Sequence, residues 1–310
     1  MSNLAFMFPG QGSQYVGMGK GIMERFSSAR EVFQMAEEIC GIPVRKYCLE
    51  GPMEELTKTV HLQPCITAMN LAILKVLMEM GHKPMVCLGH SLGEYSALAC
   101  SGVLSFEDTL KAVKERGELM EREAQKRPGT MAAVLGMDEA SLVGILREVP
   151  DTVCIANYNS PEQMVISGTL DGVSLATKLV KEKGGKAVPL KVSGAWHSPL
   201  MEGALRDFED FLKGLDFAPP EVEVVFNVTA QRERDPQGIR SLMVSQLISP
   251  VRWTQSVEAC VSAGVKGFVE IGPKNVLSNL VKRILPKGSE IAIYNLEDEK
   301  GLEDFSQKAF

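Results

Sequence analysis

Ser91 stands in Gly89-His90-Ser91-Leu92-Gly93, a G-x-S-x-G pattern that can turn a serine hydroxyl into a nucleophile. In such an elbow a strand turns sharply at the serine and runs into a helix. The hydroxyl then stands clear of its neighbours, beside backbone N–H groups. Glycine suits positions 89 and 93, because a side chain at either would collide with the crossing backbone. Pro84 to Leu88 is an apolar run of strand length, and Leu92 to Cys100 reads as a small-residue helix that packs closely on a sheet. The competing reading is a tight strand-to-helix turn with a capping serine.

A serine hydroxyl is a poor nucleophile until a base takes its proton. The chain has 4 histidines. His82 follows Gly81 and reads as an exposed turn residue. His61 falls in a loop before Leu62-Gln63-Pro64, and His90 reads as packing beside the strand end. His197 is the strongest candidate base, at the edge of a cleft between two parts of the chain; the alternative is a histidine satisfied in a loop or capping a helix. Its other ring N–H needs an acceptor. In hydrolases an acid serves and the histidine comes last in the chain, but here a long stretch follows His197 and no acid stands out. A helix predicted to end near Leu247 leaves its last carbonyls unpaired, Gln246 among them.

Arg116 is the third chemical residue. In the helix predicted from Ser105, a plausible N-cap, to about Gln125, the apolar face runs through Phe106, Leu110, Val113 and Met120. Arg116 falls on that face, where an unpaired charge is costly. Its partner is either a protein carboxylate, such as Glu94 or Glu270, or a carboxylate on the substrate gripped in bidentate fashion. The second option implies a dicarboxylic half-ester or thioester.

The elements that must position these residues alternate. Leu4–Phe8 reads as a strand, Thr67–Met80 as a helix stopped by Gly81, then the elbow strand and its helix. Val222–Asn227 and Val265–Ile271 read as further strands, the second as the last of the core, and Ile239–Leu247 as a helix. Gly272-Pro273 opens a helix to Leu285. That order predicts an α/β fold with a mostly parallel sheet. Lys126-Arg127-Pro128-Gly129 looks like a boundary. Beyond it, strands at Thr130–Leu135, Val153–Tyr158, Gln163–Ser167 and Ala187–Val192, with helices at Asp138–Glu148 and Leu170–Lys183, give β-α-β-β-α-β, the ferredoxin-like order. We therefore expect a catalytic domain of residues 1–126 and 195–310, interrupted by a small domain of residues 127–194. It resumes with a helix at Ser198-Pro199.

The 310 residues carry a net charge of −6 with 45% hydrophobic residues, which disfavours nucleic acid or an anionic membrane as partner. Met1-Ser2-Asn3 lacks the basic start of a secretory leader, and no apolar stretch reaches the roughly 18 residues that span a bilayer. Seven cysteines without a C-x-x-C read as reduced thiols of a cytoplasmic protein, and no metal site is expected. Gly10-Gln11-Gly12-Ser13-Gln14 follows the first strand, but Tyr15 occupies the third glycine position of a dinucleotide fingerprint.

Together these pieces resemble the malonyl-CoA:acyl carrier protein transacylases of bacterial fatty acid synthesis. The resemblance rests on Phe8-Pro9-Gly10-Gln11-Gly12-Ser13-Gln14, Gly89 to Leu98, Arg116-Gly117-Glu118-Leu119-Met120, Asn157-Tyr158-Asn159-Ser160-Pro161, Ser193 to Met201, Gln246 to Trp253, and Glu270-Ile271-Gly272-Pro273. It implies an α/β-hydrolase-like core, malonyl-CoA and acyl carrier protein as partners, and no metal or redox cofactor. It implies Ser91 as nucleophile, His197 as base, and the N–H groups of Gln11 and Leu92 as an oxyanion hole. Arg116 would hold the malonyl carboxylate and the Gln246 carbonyl would orient His197, with Asn157 and Asn159 near the mouth of the site. Trp196 stands where this family more often has Phe, and Lys274 where it usually has Gly. In related polyketide synthase acyltransferases a bulky aromatic before the histidine goes with malonyl, which Trp196 fits. The carrier is usually acidic, so Lys181, Lys183 and Lys186, or Lys282 and Arg283, are candidate docking residues. The readings left beside this one are a free-standing acyltransferase of a polyketide synthase, a serine thioesterase, and a catalytically idle carrier-binding module. No interface motif appears, so a monomer is expected.

Overall fold

The computed structural model describes residues 3–308; Met1 and Ser2, where a leader would start, lie outside the described residues. Among the described residues there are nine strands in two sheets: β1 Leu4–Phe8, β2 Val86–Gly89, β3 Gly129–Leu135, β4 Val153–Ser160, β5 Gln163–Thr169, β6 Lys186–Pro189, β7 Glu223–Val225, β8 Gly267–Ile271 and β9 Ala292–Leu296. The first sheet is wholly parallel, in the order β7-β2-β1-β8-β9. β2 and β8 are buried along their whole length, as expected of strands covered by helices on both faces. Register matters more than length here. Phe8 pairs with Gly89, so β1 and β2 end level and their following loops lie side by side. That crevice beyond the carboxyl ends of parallel strands is where open α/β sheets bind ligands.

The second sheet is antiparallel, in the order β4-β5-β3-β6, with helices Glu139–Arg147 and Leu170–Glu182 packed against it. Side chains cap both helices. Asp138 accepts from Ser141 N–H at 2.7 Å and Thr169 from Gly172 N–H at 3.1 Å. Strand β4 is tied by backbone to the segment just before helix Trp253–Ser262: Tyr158 N–H donates to Val251 at 2.9 Å and Val251 N–H to Ala156 at 2.8 Å.

Several expectations need correction. β8 is not the last core strand, because β9 adds a parallel edge beyond it. Helix Trp253–Ser262 was not foreseen either. The strand expected to reach Val192 stops at Pro189. The helix expected at Ser198 begins as a 3₁₀ turn, Pro199–Ala204, before the helix Leu205–Leu212. His61 is not in a loop: the helix expected from Thr67 runs Thr59–Glu79 with Pro64 inside it, because deep burial outweighs one lost hydrogen bond. His61 stacks on Tyr47 with ring centroids 4.4 Å apart. His82 is half-buried against Phe305. Helix Thr59–Glu79 is also long and apolar enough to cross a bilayer, against the reading that no stretch is; 83% of that window is buried inside the protein, where it serves as a core helix.

Candidate active site

The site is assembled from backbone outward. β2 ends at Gly89, and Ser91 takes a left-handed conformation with φ of 51° before helix Gly93–Cys100 begins. That conformation is unfavourable for a residue with a Cβ and persists only where surroundings enforce it. The enforcement is visible. A Cβ on Gly93 would lie 1.9 Å from the Phe8 carbonyl oxygen, and one on Gly89 would lie 2.1 Å from the Gly93 carbonyl. A Cβ on Gly10 would lie 2.5 Å from the His90 carbonyl oxygen, so the loop after β1 is pressed onto the elbow. Asn227, just beyond β7, closes the turn from the other side. Its Oδ1 accepts from Ser91 N–H at 2.7 Å and its Nδ2 donates to Gly89 at 2.6 Å.

His197 arrives from the loop that leaves the second sheet. It too is left-handed, with φ of 57°. Ser198 fixes that turn by donating to the Ala195 carbonyl at 2.7 Å and accepting from Leu200 N–H at 3.3 Å. The Ser91 hydroxyl meets His197 Nε2 at 2.7 Å. On the far side of the ring, Nδ1 faces two carbonyls, Gln246 at 2.9 Å and Ser249 at 3.1 Å. Carbonyls only accept, so Nδ1 carries the proton and Nε2 is left to accept from Ser91. Gln246 caps the helix Pro236–Ser245, so its carbonyl is one of the orphans at that terminus. Burial, with the Arg116 charge nearby, pushes the His197 pKa down to about 3, so the ring is neutral at pH 7.

Arg116 lies where its helix, Phe106–Lys126, faces the core; only 1% of it is exposed. Ser105 caps that helix by accepting from Asp108 N–H at 2.9 Å. The guanidinium donates to Gln63 Oε1 at 3.0 Å, to Gln246 Oε1 at 3.1 Å and to the Ser91 hydroxyl at 3.1 Å, and stands 5.5 Å over the Tyr95 ring. Among the described residues no carboxylate forms an ion pair with it. Glu270 is taken up by the N–H groups of Leu277 at 2.8 Å and Ser278 at 2.7 Å. Glu94 accepts from Asn227 N–H at 2.7 Å and from the Gln246 side chain. Burial draws the Arg116 pKa down, yet a guanidinium stays charged.

Gln11, Ser91, Leu92, Arg116, Asn157, Trp196 and His197 line one cavity of about 90 Å³. Asn159 does not reach it. Its Oδ1 instead holds His90 Nε2 at 2.8 Å, and the His90 ring, against Trp253, contributes to the cavity wall. The Trp196 ring lies over Gly194, where a Cβ would be 2.6 Å from it. Of the candidate docking residues, Lys183 pairs with Glu148 at 2.6 Å and Arg283 donates to Gln163 at 2.7 Å, while Lys181, Lys186 and Lys282 are exposed. Gln63, Glu94 as an acceptor for Gln246, Asn227 and the Ser249 carbonyl escaped the sequence reading. Gln63, Asn227 and Ser249 are far from Ser91 along the chain and without periodic signal, and Glu94, although in the first turn after the elbow, meets its partners only through residues distant in sequence; only Asn227, at the end of a predicted strand, sat where a ligand-side residue is expected.

A family model for the acyl transferase domain matches residues 5–304. A malonyl CoA-acyl carrier protein transacylase of Bacillus subtilis (strain 168) is 41% identical, covering 96% of this chain and 99% of that one. The crystal structure of malonyl-CoA:acyl carrier protein transacylase from Xanthomonas oryzae pv. oryzae superposes with a TM-score of 0.94 at 38% identity, over 98% of this chain and 97% of that one. A malonyl-transacylase in complex with a type II PKS acyl-carrier protein has a TM-score of 0.93 at 37% identity, over 97% and 98% of the two chains. The elbow, the buried arginine and the match along almost the whole chain lead to one conclusion: this chain belongs to the acyl transferase family, among the malonyl-CoA:acyl carrier protein transacylases.

Proposed function

We propose that the chain moves a malonyl group from malonyl-CoA to the phosphopantetheine thiol of acyl carrier protein, through an ester on Ser91. The observation that carries this reading is Arg116, a buried guanidinium 3.1 Å from the Ser91 hydroxyl with only neutral partners among the described residues. An acyl group on Ser91 that ends in a second carboxylate would supply the missing anion in bidentate fashion.

In the first half-reaction Ser91 Oγ attacks the thioester carbonyl as His197 Nε2 takes its proton. The new O–C bond forms, the tetrahedral oxyanion is held by the N–H groups of Gln11 and Leu92, and the C–S bond breaks. The proton on His197 passes to the departing CoA sulfur. In the second half-reaction the carrier thiol gives its proton to His197, attacks the ester carbonyl and releases Ser91 with its proton restored. The helix-end carbonyl of Gln246 keeps the imidazole in the required tautomer throughout. A ligand carboxylate on Arg116 also cancels part of the charge that depresses His197, so the dicarboxylic substrate strengthens its own base. Asn157 and Trp196 bound the acyl pocket, and Asn159 steadies it through His90.

The strand order supports reading the parallel core as α/β-hydrolase-like and residues 127–194 as a ferredoxin-like insert within a catalytic domain of residues 1–126 and 195–310. Fatty acid synthesis in the cytoplasm is the setting we favour; all seven cysteines are free thiols, as that compartment requires. The related complex with a type II PKS carrier favours polyketide supply as the second reading.

The experiment is intact-protein mass spectrometry after brief mixing with malonyl-CoA and then with holo acyl carrier protein. The expected result is a malonyl adduct on Ser91 that moves to the carrier. An adduct that decays to free malonate would mean a thioesterase, and no adduct would leave Ser91 as a turn residue.

A further inference from the structure

The Gln246 side chain is held at both ends. Its Nε2 donates to Glu94 and to the Ser91 carbonyl at 3.2 Å, while its Oε1 accepts from Arg116 at 3.1 Å. Turning the amide over would set its oxygen against a carboxylate and a carbonyl, and its NH₂ against a guanidinium. The neighbours therefore dictate its orientation. Glu94, in the first turn of the elbow helix, is buried, and its second oxygen accepts from Asn227 N–H at 2.7 Å. No lysine or arginine forms an ion pair with it among the described residues; the Arg116 charge is felt with the Gln246 amide between them. A buried carboxylate without a paired cation is costly, and the transfer steps above give it no task.

We propose that Glu94 is a positioning residue for acyl selectivity: acting through the Gln246 amide, it holds Arg116 with its charge free for the distal carboxylate of the acyl group. A carboxylate suits this place because both of its oxygens accept. Asn227 N–H and the Gln246 NH₂ are two donors, and a glutamine at position 94 offers one acceptor for them. The second donor is then unpaired, or the Gln246 amide turns over and presents NH₂ to Arg116. The inference rests on Arg116 taking the malonyl carboxylate, and the test separates the two.

The test compares kcat/KM for malonyl-CoA and acetyl-CoA, with holo acyl carrier protein as acceptor, in the wild type, Glu94→Gln and Gln246→Glu. Selectivity is the readout because a general weakening of the elbow lowers both substrates alike. In Glu94→Gln, malonyl transfer should fall roughly tenfold to a hundredfold beyond the fall in acetyl transfer, since misplacing a substrate-orienting group by about 1 Å can cost about a hundredfold. Gln246→Glu places a carboxylate on Arg116 while leaving the main-chain carbonyl on His197, and should lose malonyl preference in the same way. Equal falls for both acyl groups in Glu94→Gln would overturn the proposal and leave Glu94 as a prop for the elbow. Should Glu94→Gln fail to fold, as judged by circular dichroism, an unchanged ratio in Gln246→Glu overturns it. A wild type that transfers no malonyl fails the transfer reading itself, before any variant is compared.

Discussion

At the scale of single residues, the site is governed by which donors and acceptors are left over. His197 has its Nδ1 proton fixed by two carbonyls, so its Nε2 lone pair faces Ser91. Arg116 has neutral acceptors on two sides and no carboxylate in direct contact among the described residues. Arg116→Ala should therefore cut malonyl transfer roughly a hundredfold while reducing acetyl transfer far less, since a charge-assisted contact is worth about 1.5–3 kcal/mol. Steady-state kinetics with both thioesters read this directly, and equal losses would return Arg116 to a structural role. Asn227 is the polar residue beside Ser91 whose loss should cost stability. Asn227→Ala leaves Ser91 N–H without its acceptor and the Gly89 carbonyl without its donor. We expect a loss of about 1–3 kcal/mol in urea denaturation, the cost of a buried group left unpaired.

At the scale of elements, the positions that matter are turns with left-handed backbone. Ser91 and His197 occupy such turns at the site, where strain is part of presentation. Lys274 is another, with φ of 60°, just before helix Val276–Ile284. A glycine there would fit this conformation without penalty, whereas the Lys274 Cβ carries strain in it. Lys274→Gly should raise stability by about 0.5–1 kcal/mol, the relief of a Cβ clash less the entropy glycine loses on folding. Chemical denaturation checks it, and transfer rates should not change, because position 274 does not line the cavity.

At the scale of the whole molecule, the buried titratable groups of the site make opposite contributions to stability against pH. Burial and Arg116 hold His197 near 3, below its ordinary 6.5, so the unfolded chain binds more protons between those values. That contribution is full above pH 6.5 and is lost as pH falls toward 3. Burial lifts Glu94 to about 7 from 4.5, so here the native state binds more protons. Its contribution is full below pH 4.5 and is lost as pH rises to 7. Between 4.5 and 6.5 the two slopes oppose each other. Glu94→Gln removes only the second, so its stability should rise more steeply from pH 5 to pH 7 than that of the wild type. Urea midpoints at the two pH values measure the difference, and parallel curves would mean that Glu94 does not titrate in this window.

What the sequence determined by itself is local. The G-x-S-x-G spacing pointed to the elbow because the approach of Gly89 to Gly93 lies within five residues, whereas the pressure of Phe8 on Gly93 comes from the neighbouring strand. The apolar period of helix Phe106–Lys126 exposed Arg116 as a charge on a buried face, and Ser105 could mark the start of that helix because a cap bonds two or three residues ahead. The alternation of strand and helix pointed to a parallel sheet, but not to its edge strand β9. The tertiary structure alone decided who meets whom. Gln63, Asn227 and Gln246 are separated from Arg116 or Ser91 by 53, 136 and 130 residues, and no pattern in the chain announces such pairs. It also decided between the partners open to Arg116. Glu270 was drawn away to cap a helix and Glu94 to bind Asn227 and Gln246, and the charge was left for a ligand. Hydrogen bonds between distant groups depend on where the sheet registers and loops place them, and that placement exists only once the chain has folded.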